Sequence, residues 1–223
     1  MGEAIGQILA FGLAVGLSPV PIIGVTLMLA TPRAGPNGLA FLAGWVLGLT
    51  TIGAIVLLIS SGAEASDQGA PADWVSVFKV ALGVLVLAEA LKQWRGRPQP
   101  GQEAQLPAWM EKTDSFTSPK AAGFGILLSA LNPKNLLLVA AAGAAIAQTG
   151  VSTGEQAVAL SVFVIVGTLG TGLPVALYFA LGERSRPILD EIRGWMAQNN
   201  TTIMTVLFLI IGAKLLGDGI SGL

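Results

Sequence analysis

A chain of 223 residues that is 53% hydrophobic and only 11% charged carries less than half the charge of a soluble domain, in which about a quarter of residues ionise. With 29 glycines and a net charge of −1, it reads as a polytopic membrane protein and offers nothing to nucleic acid. Zero cysteines and zero histidines remove disulfides, thiolate metal sites and the usual proton shuttle, so no metal, no cofactor and no catalytic residue is expected.

A hydrocarbon core takes about 20 apolar residues per helix. Six stretches qualify, at 4–30, 38–60, 74–94, 120–147, 156–181 and 199–220, and each is bounded by polar, proline or glycine clusters. The sequence therefore predicts an all-α polytopic membrane protein with six transmembrane helices. The first span has no basic region before it and no small-residue cleavage site after it, so it is expected to be retained.

The first span contains "VGLSPVPII" at 15–23. Serine is a strong N-cap and proline is favoured at the first helical position, so Ser18-Pro19 is a helix-start signal inside a hydrophobic run. The expectation is a broken helix, kept irregular by Pro21. The next connection holds Arg33 and Asn37 and leads to the second span. The loop after that carries Glu64, Asp67 and Asp73 and no Lys or Arg.

The third span holds Lys79, which can snorkel, and Glu89, a carboxylate within the span. Glu89 is a candidate for coupling transport to protons. Residues 96–119 are rich in Pro, Gly, Gln and Glu and read as a linker. It separates a first three-helix unit, 1–95, from a second, 120–223.

The fourth span contains "LNPKNLL" at 131–137. Asn132-Pro133 repeats the helix-start signal, and Lys134 adds a charge that is expensive inside a membrane unless it meets a partner, water or substrate. Asn135 supplies further hydrogen-bonding groups. The half-helix ends and Lys134 together suggest a midplane site for an anionic group, formed by Ser18, Pro19, Pro21, Asn132, Pro133, Lys134 and Asn135. Before the last span, "RPILDEIRGWM" at 186–196 puts Ile188, Leu189, Ile192, Trp195 and Met196 on one face. That pattern predicts a short amphipathic helix on the inner membrane surface. The last span holds Lys214.

Lys and Arg cluster in the first, third and fifth connections and are absent from the second and fourth. The positive-inside rule puts the odd connections in the cytoplasm and both termini outside. The halves also resemble each other. "VGLSPVPIIGVTLMLA" (15–30) matches "SALNPKNLLLVAAAGA" (129–144), and "GVLVLAEALK" (83–92) matches "LFLIIGAKLL" (207–216), which sets Glu89 against Lys214 as a coupling or ion-pair position. With three spans each, the repeats must be inverted, an arrangement typical of transporters that bind substrate near the midplane.

The segments "GLSPVPIIGVTLMLATPRAGPNGLAFLAGWVLGL" (16–49), "LNPKNLLLVAAAGAAI" (131–146) and "RSRPILDEIRGWMAQNNTTIM" (184–204) resemble the GAP/Sap family, the peptidoglycolipid- and sulfolipid-addressing proteins of actinobacteria, within the lysine-exporter superfamily. The resemblance covers nearly the whole chain. It implies a multi-pass inner-membrane protein that moves a lipid or glycolipid towards the cell envelope, alone or with lipid-synthesis or export proteins. It also implies signature positions at Ser18, Pro19, Pro21, Ile22 and Ile23, and at Asn132, Pro133, Lys134 and Asn135, with Arg33 and Asn37 in a matching cytoplasmic loop. Two other classes stay open: a small-solute exporter for amino acids or ions, and a non-transporting scaffold. An enzyme is not expected, because no nucleophile–base pair occurs in the spans. Small-residue faces such as "AGWVLGLTTIG" (43–53) suit a neighbouring helix of the same chain or of a homodimer.

Overall fold

The computed structural model describes residues 2–64, 73–97 and 116–222; most of the expected linker and the acidic loop at 65–72 lie outside them. All the regular structure described is helical. In chain order come α1 (Gly2–Gly16), α2 (Pro19–Leu29), α3 (Ala34–Glu64), α4 (Asp73–Arg95) and α5 (Ser118–Ile126). A π-helical turn (Leu127–Leu131) leads to α6 (Pro133–Ala147), then α7 (Thr153–Leu181), a 3-10 turn (Gly182–Ser185) and α8 (Arg186–Ile220).

Among the described residues, two stretches are long and apolar enough to cross a membrane: Ala34–Ser60 in α3, and the run Thr153–Ile220 through α7 and α8. Counting each bent pair as one span gives four. The bends fall at the two proline signals, 50° between α1 and α2 and 60° between α5 and α6. Gly182 ends α7 at φ 55°, a left-handed conformation that glycine enters without a Cβ penalty. Without that turn, 68 residues of helix would run for about 100 Å, more than three hydrocarbon thicknesses.

The expected surface helix at 186–196 is instead the first part of α8, an unbroken helix of 35 residues and about 52 Å. Its polar middle does not interrupt it. The Asn199 amide donates to the Trp195 carbonyl at 2.9 Å, and the Thr205 hydroxyl to the Thr201 carbonyl at 2.8 Å, so these side chains are satisfied by their own helix. The predicted apolar face divides in two. Leu189 is buried and Met196 packs on Ile23 and Leu27 of α2, while Ile188 and Trp195 stay exposed.

Glycines set how closely the helices approach, as in other membrane bundles. A methyl at Gly125 of α5 would collide with the Phe41 carbonyl and lie 2.9 Å from the Trp45 nitrogen, both on α3. A methyl at Gly170 of α7 would collide with the Gly16 carbonyl of α1. So α3 lies directly against α5, and α7 against α1. Phe41 and Trp45 stack at 6.4 Å in the core, Phe124 tilts onto Phe41 at 6.1 Å, and the Trp45 indole donates to the Gly167 carbonyl of α7 at 3.2 Å. α4 packs along α8, where Gly83 and Gly212 admit Leu216 and Leu87.

At the end of the α3–α5 contact, Asn37 is fully buried. Its amide donates to the Thr31 hydroxyl at 3.1 Å and to the Phe116 carbonyl at 3.0 Å, and its oxygen accepts from the Ser118 hydroxyl at 3.3 Å. This side chain ties the turn after α2 to the start of α5, 81 residues away. Asn37→Ala removes these three bonds of a buried side chain and is expected to destabilise the protein by about 3 kcal/mol, read as a lowered melting midpoint in detergent.

Candidate functional site

The two breaks are built differently. Asn132 has extended backbone angles (φ −70°, ψ 117°), and its side-chain oxygen accepts from the Lys134 backbone N–H at 3.1 Å. Pro133 then opens α6, where its missing N–H leaves nothing unsatisfied. Ser18 has a similar backbone (φ −62°, ψ 118°) but makes no capping bond, so Pro19 alone starts α2. Pro21 sits in the first turn of a regular helix and does not distort it, since the N–H it lacks has no helical partner there. Ser18, Pro19 and Pro21 are all buried.

Asn135 bridges the second break. The turn before it is π-helical, and the residue five beyond Leu128 is Pro133, which has no N–H to offer. The Asn135 amide donates to the Leu128 carbonyl at 2.8 Å instead. Its own oxygen is buried without a partner. Asn135→Asp would set a carboxylate against that carbonyl and is expected to destabilise the fold by about 3 kcal/mol, again as a drop in melting midpoint.

Lys134, in the first turn of α6, projects differently. It is partly buried, with its ammonium 5.6 Å from the centre of the Phe208 ring on α8. Phe208 lies one turn from Gly212, where Leu87 of α4 packs, so Lys134 is level with the part of α4 that carries Glu89 and Lys92. Lys134 therefore lies beside α8 at the level of the Glu89–Lys92 pair. Glu89 is paired to Lys92 at 3.3 Å along one face of α4, with both side chains partly in the open.

Lys214, the position matched to Glu89, is ion-paired with Asp218 on its own helix and lies 5.7 Å from the Phe11 ring. Glu89 and Lys214 thus have separate partners. Arg33 is exposed, and Asn37 is committed to the α3–α5 tie. No hydrogen bond joins Ser18 to Asn132 or Asn135. The predicted site residues therefore form an electrostatic centre at Lys134 and two structural breaks. Two members escaped the sequence reading. Lys92 looked like one of several loop cations, and Phe208 like one more apolar residue of a span; only tertiary packing brings them to Lys134. Among the described residues no three His, Cys, Asp or Glu side chains gather as metal ligands.

Bent, proline-started helix pairs among candidate membrane helices, with a lysine at one break, define a multi-pass membrane protein with irregular backbone inside its bundle. The model of the Sap family, the sulfolipid-1-addressing proteins, matches residues 8–221, and the chain belongs to that family. Neither a curated protein nor a solved structure matches it. Membership implies a helical membrane protein concerned with addressing a sulfolipid or related glycolipid.

Proposed function

We propose that this protein is an inner-membrane transporter that exports an envelope lipid with a polar or anionic headgroup. The observation that carries the reading is Lys134, a partly buried cation in the first turn of a half-helix inside a bent candidate span. A lysine kept at such a depth calls for an anionic partner, and a headgroup supplies one. Positive-inside charge and helix length favour six spans with both termini outside, taking α4 and the span within α8 as the third and sixth. The crosswise packing of α1 on α7 and α5 on α3 is what two inverted three-helix halves, 1–95 and 120–223, would produce. Rocking one half against the other would then give alternating access.

An apolar groove of about 460 Å³, lined by Val46 of α3 and by Ile165, Leu169 and Leu173 of α7 among others, opens to the side of the bundle. A lateral apolar groove suits acyl chains better than an amino acid or an ion, so it favours lipid over the small-solute alternative. A scaffold that serves a lipid-export machine without transporting is the other competing class. Purified protein in liposomes separates these readings. Flipping of a headgroup-labelled lipid by the protein alone is the expected result. Protein that moves amino acids and leaves lipid in place supports the solute exporter, and protein that moves neither supports the scaffold.

A further inference from the structure

We propose that Glu89 is the resident counter-charge of the lysine site and that Lys92 is its second cation, so that an anionic lipid headgroup binds by replacing Glu89 between Lys92 and Lys134. The inference deepens the transport reading and rests on it. Three observations carry it. Glu89 and Lys92 are paired at 3.3 Å on α4, three residues apart, with the Glu89 side chain 44% and the Lys92 side chain 79% exposed. Lys134 reaches α8 from the first turn of α6, its ammonium 5.6 Å from the centre of the Phe208 ring. Leu216 of α8 packs on Gly83 of α4 and Leu87 of α4 on Gly212 of α8, a register that sets Phe208, and with it Lys134, level with Glu89 and Lys92.

The cluster thus has two cations and one carboxylate, a net charge of +1, and Glu89 can neutralise only one cation at a time. An i,i+3 pair this exposed is weak, so it yields readily to a stronger anion. A phosphate or sulfate brings several acceptor oxygens and can bridge both ammonium groups, where the carboxylate engages one. Lys92 lies three residues before the end of α4, on the side carrying Arg95 and Arg97, so it would meet headgroups first. Lys134 lies deeper and would hold them. Glu89 also discriminates: a zwitterionic headgroup, with no net charge to offer, gains little by displacing it.

The test is equilibrium binding of fluorescent phosphatidylglycerol and fluorescent phosphatidylcholine to the full chain in detergent micelles, with melting midpoints recorded for every variant. Native protein is expected to prefer the anionic probe. Lys92→Gln should weaken phosphatidylglycerol binding about fivefold and leave phosphatidylcholine unchanged. Glu89→Gln should tighten phosphatidylglycerol binding a few-fold, because the headgroup no longer competes with an internal carboxylate. If Glu89→Gln weakens anionic binding or leaves it unchanged, or if Lys92→Gln affects both probes alike, the exchange is wrong. If Lys134→Ala alone abolishes the anionic preference while both α4 variants bind like native protein, the lysine site stands and the counter-charge role falls. If Lys134→Ala also binds like native protein, the site itself is misassigned.

Discussion

Gly125→Leu is expected to leave no stable folded protein, whereas Gly123→Leu, two residues away on the same helix, should melt like the native chain. The difference lies in what each side chain would meet. Gly123 has nothing within 4 Å of an added methyl. Gly125 faces the Phe41 carbonyl, the Trp45 nitrogen at 2.9 Å and the Gly44 carbonyl carbon at 3.2 Å, all backbone atoms of α3. Flexible side chains could move aside, but a helix backbone moves only as a whole. A leucine there drives α3 and α5 apart, which also disturbs the Phe41–Trp45 stack and the Asn37 bonds beyond it. Overpacking in a core commonly costs 1–3 kcal/mol; against immobile backbone the loss should exceed about 4 kcal/mol. The measurement is the yield of monodisperse protein in detergent and its melting midpoint. A native-like midpoint for Gly125→Leu would mean that α3 and α5 are not in direct backbone contact.

Lys134→Ala is expected to preserve the fold and abolish export. The lysine's own structural contact is a ring at 5.6 Å, so its removal should change stability by about 1 kcal/mol or less. Its loss to a bound anion is larger: removing one partner of a desolvated ionic contact weakens binding by roughly 2–5 kcal/mol, a factor of 30 or more. Surface and whole-cell lipid extracts, compared by mass spectrometry between a strain lacking the protein and strains carrying native or Lys134→Ala protein, provide the readout. One envelope lipid should fall at the surface by about tenfold or more and accumulate inside, and Lys134→Ala should fail to restore it while Lys134→Arg restores part of it. Identical profiles in native and deleted strains would overturn lipid export, and small-solute export would become the reading to measure.

The helical class and both helix breaks are written in short-range terms, which is why they are legible in the chain. Apolar run length is a property of consecutive residues, and an N-cap followed by proline acts within one turn. The same local logic failed at 186–196. Periodicity alone cannot distinguish a surface helix from the first third of a longer one, and at Asn199, where the expected last span begins, the side chain bonds back to the Trp195 carbonyl of its own helix.

By itself, then, the sequence determined that the chain is helical, that it is too apolar and too sparsely charged for water, that its backbone restarts at Ser18-Pro19 and Asn132-Pro133, and that a lysine accompanies the second restart. Tertiary structure alone decided what each polar residue there does. Asn132 caps, Asn135 supplies the donor that Pro133 lacks, Asn37 ties α3 to α5, and Lys134 reaches the Phe208 ring on a helix more than 70 residues further along the chain. The physical reason is range. Caps and apolar periods are satisfied within a few residues, whereas a charge in a low-dielectric bundle is governed by whichever groups packing brings near, and glycine positions such as Gly125 and Gly170 set that packing without any local signal.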